Sequence, residues 1–100
     1  MRFEWDPKKA KANEQKHSVG FSEACHVFTD KFELTLFDDA HSGTEERWIT
    51  IGQIPGGSIV VVVHTHANVS GTEVVRIISA RKATRAEARQ YAERRKGSRI

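Results

Sequence analysis

An α+β fold is what this 100-residue chain predicts: a mainly antiparallel sheet with helices packed on one face, in the order β-α-α-β-β-β-β-α. Three observations predict it. Segments that alternate with period two or are rich in β-branched residues follow one another from Phe32 to Ala80, with no helical pattern between them. Helix-start signals flank that block, Asp6-Pro7 on one side and Thr84 with Glu87 on the other. The length suits one hydrophobic core but not two, so residues 1–100 make a single domain.

Phe3-Glu4-Trp5 is extended and ends at Asp6-Pro7, a cap followed by a proline whose fixed φ suits the first helical turn. The helix runs from Pro7 to about His17 and carries little apolar content beyond Ala10 and Ala12, so it packs through small residues and lysine stems. Val19-Gly20 breaks it. Ser22 offers a cap for a second helix, with Ala24, Cys25, Val27 and Phe28 inward and Thr29-Asp30 at its end. Phe32–Leu36 alternates as a strand, and so does Arg47–Gly52, with Trp48 and Thr50 on one side and Arg47, Ile49 and Ile51 on the other. Ile54-Pro55-Gly56-Gly57-Ser58 is a turn cluster, which pairs Arg47–Gly52 with Ile59–Thr65 as a hairpin. His66–Thr72, holding Asn68, Ser70 and Gly71, reads as a longer hairpin loop. Val74–Ala80 is the last strand. Thr84 and Glu87 then form a capping box for a basic helix from Arg85 to about Arg95.

The composition, 38% hydrophobic and 29% charged, is that of an ordinary globular chain. The longest apolar run, Ile59–Val63, is five residues, far short of a membrane span. Glu4 and Asp6 stand where a secretory leader would be basic and then apolar. Lone Cys25 has no internal disulfide partner and reads as a buried thiol. A cytoplasmic protein without a membrane partner is the expectation. The net charge of +3 hides a division: residues 1–75 carry 7 Lys/Arg against 11 Asp/Glu, and residues 76–100 carry 9 against 2, so −4 meets +7. A basic C-terminal quarter suits a polyanion or an acidic partner.

Arg76 is the oddity of the last strand, because a guanidinium amid apolar residues is costly unless it faces water, a partner or a ligand. If the His66–Thr72 loop closes symmetrically, His64 faces Val74 and Val62 faces Arg76. Pairing Gly52 with Ile59 puts Arg47 opposite His64. Arg47, His64 and Arg76 then share a face, with Arg81 or Lys82 at its lip, and such converging donors suit a phosphodiester. The plainer alternative is salt bridging to Glu33, Glu45, Glu46 or Glu73. His64-Thr65-His66 and the cluster of His41 with Asp38 and Asp39 lack a placed third ligand and read as non-metal. His17 and His26 read as structural. No phosphate-binding glycine loop or catalytic-serine motif is present.

Phe3-Glu4-Trp5-Asp6-Pro7, Asn13 with Lys16-His17, and Val19-x-Phe21-x-Glu23-Ala24 resemble the opening of BrnT-family toxins. Asp38-x-x-His41-Ser42, Glu45-Glu46-Arg47-x-Ile49-x-Ile51-Gly52 and Arg76–Thr84 resemble the rest, in order and at the usual spacing. One departure is Ser18, where the pattern has glycine. The resemblance implies a RelE-like fold and an endoribonuclease, the toxin of a type II toxin–antitoxin pair that inhibits translation. It also implies a BrnA-like antitoxin with a ribbon-helix-helix part, DNA contact only through that antitoxin, and RNA, free or on the ribosome, as substrate. By position, the family's basic active surface falls on Arg47, Arg76 and Arg81, and then on Lys82. Lys82, with Arg85 and Arg89 of the basic helix, is expected to bind RNA. No cofactor and no metal is expected: the substrate's 2′-hydroxyl attacks phosphorus, arginines hold the developing charge, and His64 or Glu46 is the base. The competing expectation is a non-catalytic basic module that binds RNA or protein.

Overall fold

The computed structural model describes residues 1–97. Its elements are β1 (Arg2–Glu4), α1 (Pro7–His17), α2 (Phe21–Ala24), β2 (Leu34–Phe37), β3 (Trp48–Gln53), β4 (Ile59–Val69), β5 (Thr72–Lys82) and α3 (Arg85–Gly97), with 3-10 turns at Cys25–Thr29 and Asp39–His41. The five strands form one mixed sheet in the order β1-β5-β4-β3-β2, in which β1 runs parallel to β5 and every other pair is antiparallel. The α+β class and the element order are those the sequence predicts. Among the described residues no helix is long and apolar enough to cross a membrane.

The caps show why the helices begin and end where they do. The Asp6 carboxylate accepts from the backbone N–H of Lys8 at 2.8 Å and of Lys9 at 3.4 Å, and Pro7 takes the first helical position. Ser18 closes α1 with φ 58°, a left-handed conformation that explains why glycine would be at ease there. Ser22 is not the cap of α2: that position falls to Gly20, whose N–H meets the Glu23 carboxylate at 3.4 Å, and Ser22 lies inside the helix. Cys25 is half-buried rather than buried, its Sγ 3.3 Å from the Phe21 carbonyl.

The helices do not share one face of the sheet, as the sequence reading had them. Val60 and Val62 of β4 pack with Val19, Phe21, Ala24 and Val27 beneath α1 and α2, whereas Val61, pointing the other way, packs with Ile51 and with Tyr91 of α3. A central strand buried on both sides requires cover on both. Gly52 lets the first layer approach closely, since a Cβ there would lie 2.9 Å from Cβ of Val27. The second layer is tied down at Asp30, whose carboxylate accepts from the Tyr91 hydroxyl at 2.5 Å, Gln53 N–H at 2.8 Å and Phe32 N–H at 2.9 Å.

Both hairpin registers differ from expectation. The β4–β5 turn is two residues, Ser70-Gly71 with φ 52° and 84°, a pair of positive angles that suits the twist of a tight hairpin. The strands therefore extend through His66–Thr72, so His64 faces Ile77 and Arg76 faces Thr65, with a bulge between Val63 and His64. In the β3–β4 hairpin Gly52 faces Val60, and Trp48 rather than Arg47 faces His64. Each change has odd parity, and odd parity moves a side chain to the other face.

β1 pairs with β5 only at Val74–Arg76, which leaves the outer edge of β5 open further along. The Asn13 carboxamide fills that gap. It donates to the Ala80 carbonyl at 2.7 Å and the Val19 carbonyl at 3.3 Å, and accepts from the Ala80 N–H at 3.2 Å. Asn13→Ala would leave these buried backbone groups unpartnered and is expected to lower stability by about 2–4 kcal/mol. Chemical denaturation should give a lower midpoint with nearly the same slope.

Candidate active site

On the sheet face that α3 covers only in part, the side chains of Ile49, Val63, Ile78 and Ser79 floor a cleft of about 350 Å³. Arg47, Arg81, Asp38 and His41 rim it. Arg81 is held from behind: the Glu87 carboxylate takes both arms of its guanidinium, at 2.7 and 2.9 Å. The same carboxylate accepts from Thr84 N–H at 2.8 Å while Glu87 N–H donates to Thr84 Oγ1 at 3.2 Å, which is the expected capping box. One carboxylate thus starts α3 and fixes an arginine at the cleft. Arg81 Nη1 also reaches the Lys82 carbonyl at 3.5 Å, which leaves part of the five-donor fork for a ligand.

The opposite rim is the segment between β2 and β3. Its 3-10 turn eclipses residues three apart, so Asp38 and His41 meet: Nδ1 of His41 lies 3.1 and 3.2 Å from the two carboxylate oxygens. Asp38 is nearly buried, whereas the His41 side chain is 71% exposed. Ser42 closes the segment, donating to the Asp38 carbonyl at 2.5 Å and accepting from Arg47 N–H at 2.9 Å. Arg47 is thereby fixed at the mouth of β3, on the same face as Arg81.

The structure brings Arg47 and Arg81 together and leaves Arg76 farther along the same face, ion-paired with Glu4 at 3.6 Å. His64 is not with them. It points to the other face, fully buried, under the Phe28 ring at 4.8 Å and with Nε2 2.7 Å from Thr50 Oγ1. Burial first, and then the charge of His66, push its pKa down to about 4, while the Thr65 backbone pulls weakly the other way. A neutral imidazole sealed in the core has no path to a substrate. Glu46 also lines the other side of the sheet, in a groove with Thr35, Trp48 and His66. Lys82, Arg85 and Arg89 are exposed around the start of α3. The sequence reading has the Asp38–His41 pair as part of the family pattern and as a rejected metal cluster, but not as a hydrogen-bonded pair at the site. Its three-residue spacing in a polar loop was the available signal.

Glu87 carries a pH signature. The hydrogen bonds from Arg81, then those from Thr84, hold its carboxyl down at about 2 against an ordinary 4.5, burial alone working upward. A depressed folded pKa stabilises the fold above the ordinary value and loses that contribution as pH falls towards 2. An acid titration of stability is expected to lose this component in Glu87→Gln, whose curve should be flatter between pH 4.5 and about 2.

A family model described as the ribonuclease toxin BrnT of type II toxin-antitoxin systems matches residues 5–87. Among solved structures the chain is similar to the Brucella abortus ribonuclease toxin BrnT. The two are 26% identical, over 85% of this chain and 99% of that one, with a TM-score of 0.64. No curated protein matches.

Proposed function

The chain belongs to the BrnT family of type II toxin–antitoxin ribonuclease toxins, and from that premise we propose that it cuts RNA in the cleft between Arg47 and Arg81. The observation that carries this reading is Arg81 itself, clamped by Glu87 at 2.7 Å and facing a hollow with a second arginine on its far rim. Two guanidinium groups supply permanent charge, one of them held by Glu87, for a phosphodiester whose phosphorus becomes pentavalent when the neighbouring 2′-hydroxyl attacks. Charge of that kind needs no metal ion to hold the equatorial oxygens. Lys82, Arg85 and Arg89 continue the positive surface along α3, Arg85 and Arg89 being one turn apart and so neighbours on the helix. They would hold flanking phosphates. Arg76 lies on that face too, where exchange of Glu4 for a phosphate is open to it.

Cutting of messages would inhibit translation, whether on free RNA or on ribosome-bound RNA. The partner fitting this surface is a BrnA-like antitoxin whose acidic segment covers the arginines, and whose ribbon-helix-helix part makes any contact with DNA. Such a complex would form faster at low salt, because steering by charge is screened.

Arg81→Ala is expected to lower the cleavage rate by about 10²–10³-fold while circular dichroism stays unchanged. Arg81→Lys should fall between, since it keeps the charge and loses the fork. The assay is purified protein with naked RNA and with translating ribosomes, in chelator, with the cut ends mapped. RNA that is bound and never cut would leave the non-catalytic binding module instead.

A further inference from the structure

The geometry points to His41 as the catalytic base of the cleft, with Asp38 as the residue that positions it. The inference rests on the ribonuclease reading and adds to it the group that moves the proton. A carboxylate only accepts, so the short contacts to both Asp38 oxygens place a proton on His41 Nδ1. In neutral imidazole that leaves the lone pair on Nε2, the ring atom farther from Asp38 and free for substrate. The arrangement has three further supports. Asp38 is held in place, its N–H donating to the Arg47 carbonyl at 2.8 Å and its carbonyl taking the Ser42 hydroxyl. His41 rims the same cleft as both arginines, so a phosphate held by them brings a ribose to the imidazole. The other histidine of the strand block considered for this role, His64, is sealed on the opposite face.

The step balances without an added reactant other than water. Nε2 takes the 2′-hydroxyl proton as O2′ bonds to phosphorus, and the bond from phosphorus to O5′ breaks. Water protonates the departing O5′, and the imidazolium returns its proton to the hydroxide left behind. The products are a 2′,3′-cyclic phosphate and a 5′-hydroxyl. Asp38 holds the ring and stabilises the imidazolium, as a buried carboxylate does for a catalytic histidine. The charged groups around His41 are Asp38 and Glu45 of its own segment, Arg47 at the start of β3 and Arg81 of β5.

His41→Ala should lower single-turnover cleavage by about 10²–10⁴-fold with RNA affinity nearly unchanged, and added imidazole should restore part of the rate. The acid limb of the pH–rate profile should disappear with it. Asp38→Asn should lower kcat without raising KM. If the wild type cuts RNA and Arg81→Ala does not, while His41→Ala cuts at the wild-type rate, His41 is not the base and the ribonuclease reading stands. If His41→Ala is slow but imidazole neither restores it nor changes the pH profile, the residue is structural and the inference falls. A wild type that cuts no RNA, free or ribosomal, overturns the underlying reading itself.

Discussion

Burial of β4 on both of its faces is the constraint from which the rest follows. Val60, Val61 and Val62 are each 0% exposed, and burying a valine fully is worth about 1.5–3 kcal/mol. That gain needs an apolar layer above and below. α1, α2 and the turn at Cys25–Thr29 supply one layer, and α3 supplies the other through Tyr91 with Phe32 and Leu34. The two layers are unequal. The first covers its face widely enough to enclose His64, while the second rests on one buried helix side chain and leaves the sheet beyond Ile49 and Val63 open.

The unequal cover leaves the cleft open. α3 sends only Tyr91 into the core, so its basic residues stay outside it and the cleft floored by Ile49, Val63, Ile78 and Ser79 is left uncovered. Arg94 and Arg95, late in α3, are partly structural: Arg94 Nε donates to the Phe32 carbonyl at 3.1 Å, and the Arg95 guanidinium lies 5.1 Å from the Phe32 ring while donating to Gln53 at 3.2 Å. Arg85 and Arg89 are exposed in the first half of the helix. Glu87 joins these two roles, since the carboxylate that caps α3 also aims Arg81. The start of the helix and the geometry of the site therefore stand or fall together.

The loop from Asp38 to Arg47 works on the same principle at the opposite rim. It is exposed for most of its length, yet its ends are sewn by the Asp38 N–H to the Arg47 carbonyl and by Ser42 to both. A polar loop so tied can hold a histidine in one place while leaving it in water.

Local chemistry alone determined a good deal of this protein: the element order, the Asp6-Pro7 and Thr84–Glu87 helix starts, the meander from β2 to β5, and the motifs that mark the family. These rest on contacts between residues within a few positions of one another, which a sequence displays directly. Tertiary structure decided which side chains meet. The Ser70-Gly71 turn is shorter than the polar stretch around it suggests, and the bulge after Val63 adds a further residue, so register could not be counted from loop length. A side-chain period of two turned each such slip into a change of face: it sent His64 into the core and kept Arg47, Arg76 and Arg81 on the other face, where only Arg47 and Arg81 share the cleft. The Asp38–His41 pair needed both levels. Its spacing is written in the chain, but only the 3-10 turn eclipses the two residues, and only the fold sets them across a cleft from Arg81.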